Sequence, residues 1–255
     1  MDKLEKALKK ARQQRGEQIA SPAPLTQRTE SSAALPAAKI KLSDKHLEAN
    51  HIVANQPHRA EADIFRLLRT QVLQTLKKEK LKTLAVTSAN YGDGKTTTAI
   101  NLAISIAMDM KQTVLLVDLD LRKPCIHKYL GLNPEHGLTD HLAGDATIPN
   151  CLVRLPFERL SLLPTGKKHI QSSEILGSPK MAALAHELKT RYPDRLIIYD
   201  MPPILTQDDP LTFLPHVDSV LMVVKEGETR QDEVLRCLEI LQDANVIGTV
   251  LNDCL

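Results

Sequence analysis

The 255-residue sequence has no tryptophan, and its aromatic residues together make up only 3% of the chain. Binding of single-stranded nucleic acid through stacked bases needs a row of aromatic faces, so that class is not expected. Cysteine is scarce: Cys125, Cys151, Cys237 and Cys254 form no CxxC pair and stand beside no histidine cluster. This argues against a zinc ribbon or a disulfide framework and for free, mostly buried thiols in a reducing cytoplasm. Long apolar runs are missing as well. The longest charge-free stretch near the middle, Thr96 to Met108, has 13 residues and includes Thr, Asn and Ser, short of the roughly 18 that a membrane span needs. Met1 to Arg15 has no apolar segment of the kind found in secretory leaders. Net charge is only +2, too little to argue for nucleic acid. Its placement is uneven, because residues 1–56 carry 10 Lys/Arg and 6 Asp/Glu, net +4, and the remainder 23 and 25, net −2. The basic segment reads either as a solvated tail or as a weak attraction to an anionic membrane face or acidic partner.

What is present is an ordinary globular composition, 42% hydrophobic and 25% charged, in a chain long enough to bury a sizeable core. Met1 to Gln14 has a thin apolar stripe at helical spacing, and Ser21 to Ala38 is rich in Ala, Pro, Ser and Thr. Residues 1–56 are therefore expected to be a helix and a flexible linker, with 42–53 ambiguous, and residues 57–255 the folded domain. Glu61 to Leu76 reads as a helix with Ile64, Leu67, Leu68, Val72 and Leu76 on one side. Downstream, apolar runs at 83–87, 114–117, 160–163, 196–199, 220–224 and 246–251 alternate with helical patterns at 96–110, 180–191 and 230–244. Continuous apolar strands separated by helices predict an α/β fold, with a doubly wound, mostly parallel sheet.

The first predicted strand runs into Ser88-Ala89-Asn90-Tyr91-Gly92-Asp93-Gly94-Lys95-Thr96-Thr97-Thr98 and then into a helix. Glycines let backbone N–H groups turn around phosphate oxygens, and the helix N-terminus adds its positive end. Gly92, Asp93, Gly94, Lys95, Thr96 and Thr97 are thus the expected nucleotide-binding residues, with Lys95 on the β- and γ-phosphates and the Thr96 hydroxyl on Mg²⁺. The strict motif has glycine where Ala89 stands; the strand–loop–helix context carries the assignment. Two further strands end in acid, at Asp118-Leu119-Asp120-Leu121-Arg122 and at Asp200-Met201-Pro202-Pro203. In parallel sheets ligands bind at such carboxyl ends, so Asp118 and Asp200 are expected to hold the metal or its waters. Asp118 and Asp120 are assigned to catalysis, with Lys95 and Arg122 supplying positive charge to the transition state. Asn252 ends the last strand at the same edge, where it would either read adenine or make a turn; it is grouped with the nucleotide-binding residues.

Together SANYGDGKTTT, VLLVDLDLRKP and LIIYDMPP resemble the Walker A, A′ and B set of the bacterial tyrosine kinases of exopolysaccharide and capsule synthesis. These are P-loop relatives of the MinD/ParA ATPases. The likeness runs from about residue 59 to 252 and takes in the segment 61–70, Gly137 to Gly144, Leu163 to Gly166, Ser173 to Leu176 and Val250 to Asn252. It implies ATP and Mg²⁺ as cofactors, phosphoryl transfer to tyrosine with Asp118 as the acceptor-side base, and a membrane chain-length determinant (polysaccharide co-polymerase) as partner. A kinase of this kind without a span of its own would be cytoplasmic, recruited peripherally to the inner face of the membrane. The resemblance also implies ring assembly through Asp63, Arg66 and Arg69, which lie on one side of a helix with Ile64, Leu67 and Leu68 anchoring the rest.

The sequence departs from the family pattern in three places. Asp63 replaces the usual Glu, Met201 stands where a small or hydroxyl residue is common, and Asn252-Asp253-Cys254-Leu255 carries no tyrosine cluster. Two other readings stay open: a MinD/ParA-type positioning ATPase, and a non-catalytic nucleotide-binding regulator of polysaccharide export. With Tyr199 expected inside a strand, Tyr91 in the phosphate loop, and only Tyr129 and Tyr192 near helix or loop ends, self-phosphorylation is expected to be weak.

Overall fold

The computed structural model describes residues 40–109, 112–192 and 194–253, all within one compact unit. The helix expected at Met1–Gln14 and the linker at 21–38 lie outside the described residues. Among the described residues seven strands form a single sheet: β1 (Thr83–Ser88), β2 (Thr113–Asp118), β3 (Val153–Arg154), β4 (Leu160–Leu163), β5 (Arg195–Asp200), β6 (Ser219–Lys225) and β7 (Val246–Asn252). Their order is β3-β4-β2-β5-β1-β6-β7. Every pairing is parallel except β3 with β4. The two-residue β3 carries no readable pattern, which is why the sequence hides it.

The helices are α1 (Asp44–Ala49), α2 (Ala60–Glu79), α3 (Lys95–Met108), α4 (Ile126–Tyr129), α5 (Leu138–Ala143), α6 (Ile148–Cys151), α7 (Ser172–Leu176), α8 (Pro179–Arg191), α9 (Asp209–Phe213) and α10 (Gln231–Ile240). Most that escaped sequence reading are four to six residues long, under two turns and too short to show a 3.6-residue period. None is long and apolar enough to cross a membrane among the described residues.

Side chains of the central strands alternate between two cores, as the pleat requires. Leu84, Val86, Val114, Leu116, Leu196 and Ile198 face one, which also holds α3 and parts of α1 and α2. Ala85, Leu115, Val117, Ile197 and Tyr199 face the other, with Leu184 and Leu188 of α8 and Cys237 of α10. The charge-free stretch of α3 is explained by burial: Ala99, Ile100, Leu102, Ala103, Ile104 and Ile106 are fully buried, since α2 packs over the face turned away from the sheet.

Two expectations need correction. Residues 42–56 are not linker. Ser43 caps α1, accepting from the His46 amide at 3.4 Å, and Leu47 and Ile52 are buried in the α3-side core. The folded unit therefore takes in the segment before residue 57. Nor do Ile64 and Leu67 anchor α2: they are 65% and 62% exposed, while Ala62, Val72 and Leu76 are buried. Phe65, Leu68 and Leu73 pack on the core instead, so the true apolar stripe is rotated from the one read in the sequence.

Candidate active site

The parallel register brings three chemical signals to one edge. Asp118 pairs with Asp200 across β2 and β5, and β1 lies on the far side of β5, so its loop opens next to both carboxylates. In that loop Gly92 and Gly94 have φ of +91° and +92°, a left-handed backbone that favours glycine. At Gly94 space forbids a side chain as well, because a Cβ would come within 2.1 Å of Asn252 Nδ2. Asp93 and Asn252 brace the loop. The buried Asp93 carboxylate accepts from the Asn90 amide at 2.8 Å, and its carbonyl accepts from Asn252 Nδ2 at 3.0 Å. Asn90 Nδ2 donates to Glu233 Oε1 of α10 at 2.9 Å.

At the start of α3 the Lys95 ammonium is buried, 3.5 Å from Asp120 Oδ2 and 3.6 Å from Asp200 Oδ1. Burial alone would lower its pKa; the Asp200 and Asp120 carboxylates reverse that and hold it above the ordinary lysine range. Thr96 Oγ1 donates to Asp200 Oδ2 at 2.6 Å. Asp118 is wholly buried. Its Oδ2 accepts from the Cys125 and Ile126 amides, both at 3.1 Å, and Oδ1 from the Asp120 amide at 3.3 Å. Desolvation, reinforced by the Asp200 charge, pushes its carboxyl up to about 7. Asp200 is raised by the same burial.

A cavity of about 730 Å³ opens over this cluster, within the size range of small-molecule sites. Gly92, Gly94, Lys95, Thr96, Thr97, Asp120 and Asn252 all reach its wall. Asp93, Asp118 and Asp200 are buried and are not part of that wall. Arg122 does not belong to it. Its Nε donates to Ser172 Oγ at 2.7 Å and its Nη2 to Asp208 and Asp209 at 3.1 and 3.3 Å, so the charge expected beside Lys95 is committed elsewhere. Another cation is there instead: Lys123 Nζ sits 3.9 Å over the ring of Tyr91, and both line the cavity. Sequence reading also missed Glu48, His51, Val53, Arg59, Glu61 and Phe65, which form a further part of the wall. No short motif marks them, because they arrive through the packing of α1 and α2 on α3.

A glycine-bearing loop between a buried strand and a helix N-terminus, with lysine and threonine facing carboxylates at neighbouring strand ends, defines a P-loop nucleotide-binding protein. The AAA domain family model matches residues 81–243. Tyrosine-protein kinase YwqD of Bacillus subtilis is 30% identical over 208 residues, covering 81% of this chain and 86% of that protein. The crystal structure of the chimerical protein CapA2B2 superposes with a TM-score of 0.75 at 29% identity, over 88% of this chain and 97% of that one. The chain belongs to the tyrosine-protein kinase family of bacterial capsule and exopolysaccharide synthesis. Some relatives are longer: of the tyrosine-protein kinase wzc of Salmonella typhi, 30% identical over 215 residues, it spans 30%. The fold is also that of MinD, as in the septum site-determining protein MinD of Pyrococcus horikoshii, solved with Mg-ADP (TM-score 0.56, 24% identity, 67% of this chain and 69% of that one).

Proposed function

We propose that the chain binds ATP with Mg²⁺ in the cavity above Lys95 and transfers the γ-phosphoryl group to a tyrosine hydroxyl, principally on another protein. The observation that carries this reading is the convergence of Lys95, Thr96, Asp120 and Asp200 within hydrogen-bonding and ion-pairing reach at one sheet edge. The donor set fits the metal: Asp200 Oδ1 is buried with no hydrogen-bond partner among the described residues, 3.6 Å from Lys95 Nζ, and Asp200 Oδ2 accepts a hydrogen bond from the Thr96 hydroxyl. Thr96 and Asp200, with Asp118 behind, would hold Mg²⁺ or its waters. When bound, the ion neutralises charge developing on the phosphate oxygens.

The loop amides around Gly92 and Gly94 orient the phosphates, and Lys95 follows the charge to the leaving and transferred groups. Asp118 is proposed as the base for the acceptor hydroxyl; Asp120, which reaches the cavity, would present that hydroxyl to it. The partner is proposed to be a membrane chain-length determinant, as the sequence resemblance implies, and it would recruit the kinase to the inner membrane face. Self-association through the face of α2 that bears Asp63 and Arg66 is part of the proposal. Arg66 pairs with Asp63 there, whereas Arg69 is turned inward, donating to the Ser105 carbonyl at 3.0 Å.

The test is incubation with ATP and Mg²⁺, alone and with a candidate membrane partner, followed by phosphotyrosine detection and mass spectrometry. Lys95→Met serves as the control. Phosphotyrosine that requires Lys95 supports the kinase reading. Hydrolysis of ATP with no phosphotyrosine on either protein would favour a positioning ATPase, and nucleotide binding without turnover a non-catalytic regulator.

A further inference from the structure

We infer that residues 47–59 are a built wall of the nucleotide cavity and that Arg59 is a further nucleotide-binding residue, taking a phosphate oxygen of the bound nucleotide. This rests on the phosphate-loop reading above and extends it to a segment outside the strand–loop–helix motif.

One buried side chain joins the segment to the phosphate loop. Asn101 of α3 is fully buried. Its Oδ1 accepts from the Val53 and Ala54 amides at 2.8 and 2.9 Å. Its Nδ2 donates to the His51 and Thr97 carbonyls, both at 2.9 Å. That uses two donors and two lone pairs, the whole capacity of an amide. The backbone of 51–54 is thereby held against Thr97, which itself lines the cavity. Leu47 and Ile52 anchor the segment in the core. At its other end His46 Nε2 is 2.7 Å from the Lys128 carbonyl of α4, the helix that carries cavity-lining Tyr129. The segment thus runs as a strap from α4 to the start of α2, with Glu48, His51, Val53 and Arg59 facing the cavity.

Charge decides what Arg59 is for. A nucleotide polyphosphate entering here meets Asp120, Asp253, Glu48 and Glu61 on the wall; of the other cations there, Lys95 already answers to two carboxylates, Lys225 pairs with Glu228 and Asp253, and Lys123 lies over the Tyr91 ring. A cation on the strap side offsets that repulsion. The guanidinium fork matches phosphate oxygens, and Arg59 sits at the N-cap of the 20-residue α2, whose positive end adds to the attraction. Its partner is Glu48, at 2.7 Å with 54% of the Glu48 side chain exposed. Such exposed pairs are worth about 0–1 kcal/mol, so Arg59 can exchange Glu48 for phosphate at small cost.

The experiment is titration of the full chain with a fluorescent, non-hydrolysable ATP analogue and Mg²⁺, with thermal unfolding run in parallel. Arg59→Ala should raise Kd about tenfold, the scale of one charge-assisted hydrogen bond, with thermal unfolding unchanged; Arg59→Lys should restore part of the affinity. Glu48→Gln should lower Kd, since it releases the guanidinium and removes a like charge from the wall. If the unmutated chain binds and Arg59→Ala stays within about twofold of it, the strap inference falls alone. Weaker binding by Glu48→Gln overturns it too. No binding by the unmutated chain overturns the phosphate-loop reading and this inference with it.

Discussion

Asp118 shows how an ordinary aspartate becomes a candidate base. It gains three backbone hydrogen bonds, which favour its charged form, yet complete burial and the facing Asp200 outweigh them and carry its carboxyl to about 7. A carboxyl whose folded pKa exceeds its unfolded value, near 4, binds more protons folded than unfolded. Its contribution to stability is therefore favourable below about pH 4 and is lost as pH rises toward 7. Asp118→Asn, without nucleotide or Mg²⁺, leaves one set of these backbone amides without an acceptor at every pH, but it removes the titration, so its melting temperature relative to the unmutated chain is expected to be higher at pH 8 than at pH 4.5. Its phosphoryl transfer should fall by roughly 10²-fold or more, as for other lost bases, while ADP still binds. Lys95 is the converse case. Lys95→Met leaves Asp120 and Asp200 buried without their counter-ion, so nucleotide binding should be lost. Stability should fall by about 3–5 kcal/mol at neutral pH, the scale for breaking a buried pair, and by less in acid. Paired melting curves and equilibrium dialysis check both variants.

Two elements have roles that their own patterns do not announce. Removing residues 1–56 from the chain would expose the site vacated by Leu47 and Ile52 and strip Asn101 of three of its four partners. Each buried aliphatic side chain is worth about 1.5–3 kcal/mol, against a total stability of about 5–15 kcal/mol. A chain starting at residue 57 is thus expected to be largely unfolded or prone to aggregate, and to melt well below one starting at residue 40; circular dichroism separates the two outcomes. On α2, exposed Ile64 and Leu67 beside the Asp63–Arg66 pair present an apolar patch with a charged rim, an arrangement suited to association. Ile64→Glu with Leu67→Glu should disperse any oligomer seen by light scattering with ATP. This pair is a cleaner probe than Arg69→Ala, which would also remove the hydrogen bond to Ser105 that ties α2 to α3.

At the scale of the whole molecule, the position of each tyrosine bears on where phosphate can go. Tyr199 is fully buried against Phe213. Tyr91 is held at its own phosphate loop by Gln207 and under Lys123, and Tyr129 is half-buried in the cavity wall. Tyr192 is 43% exposed, but it ends α8 just before β5 begins. That puts it at the opposite edge of the sheet from Lys95, about 20 Å away for a strand of this length. Tyr91 and Tyr129 are fixed in the cavity wall itself, and none of the four is carried on a free segment that could swing into a site. The isolated protein should carry little phosphotyrosine after incubation with ATP, with most appearing on an added acceptor protein. Stoichiometric label on the isolated chain, with Tyr129 or Tyr192 as the first sites to examine, would contradict this.

Local chemistry determined the parts that the sequence announced by itself. Strands buried on both faces must be continuously apolar, so β1, β2, β4, β5 and β6 stood out. A phosphate loop needs its glycines, Lys95 and Thr96 consecutively, so the loop was legible, as were the acids ending β2 and β5. Only the tertiary structure decided which of those groups share a space. Arg122 follows Asp120 by two residues yet turns to Asp208 and Asp209, because a side chain past the strand end answers to whichever loop packs beside it. Asn252 proved to be a brace on the loop and a packing limit on Gly94, a contact made across 158 residues of chain. The strap at 47–59 joined the site through Asn101, whose partners are set by how α1 and α2 lie on α3. Periodicity reports which face of a segment is apolar; only the packing of elements far apart in the chain brings that face, and the polar groups beside it, to a site.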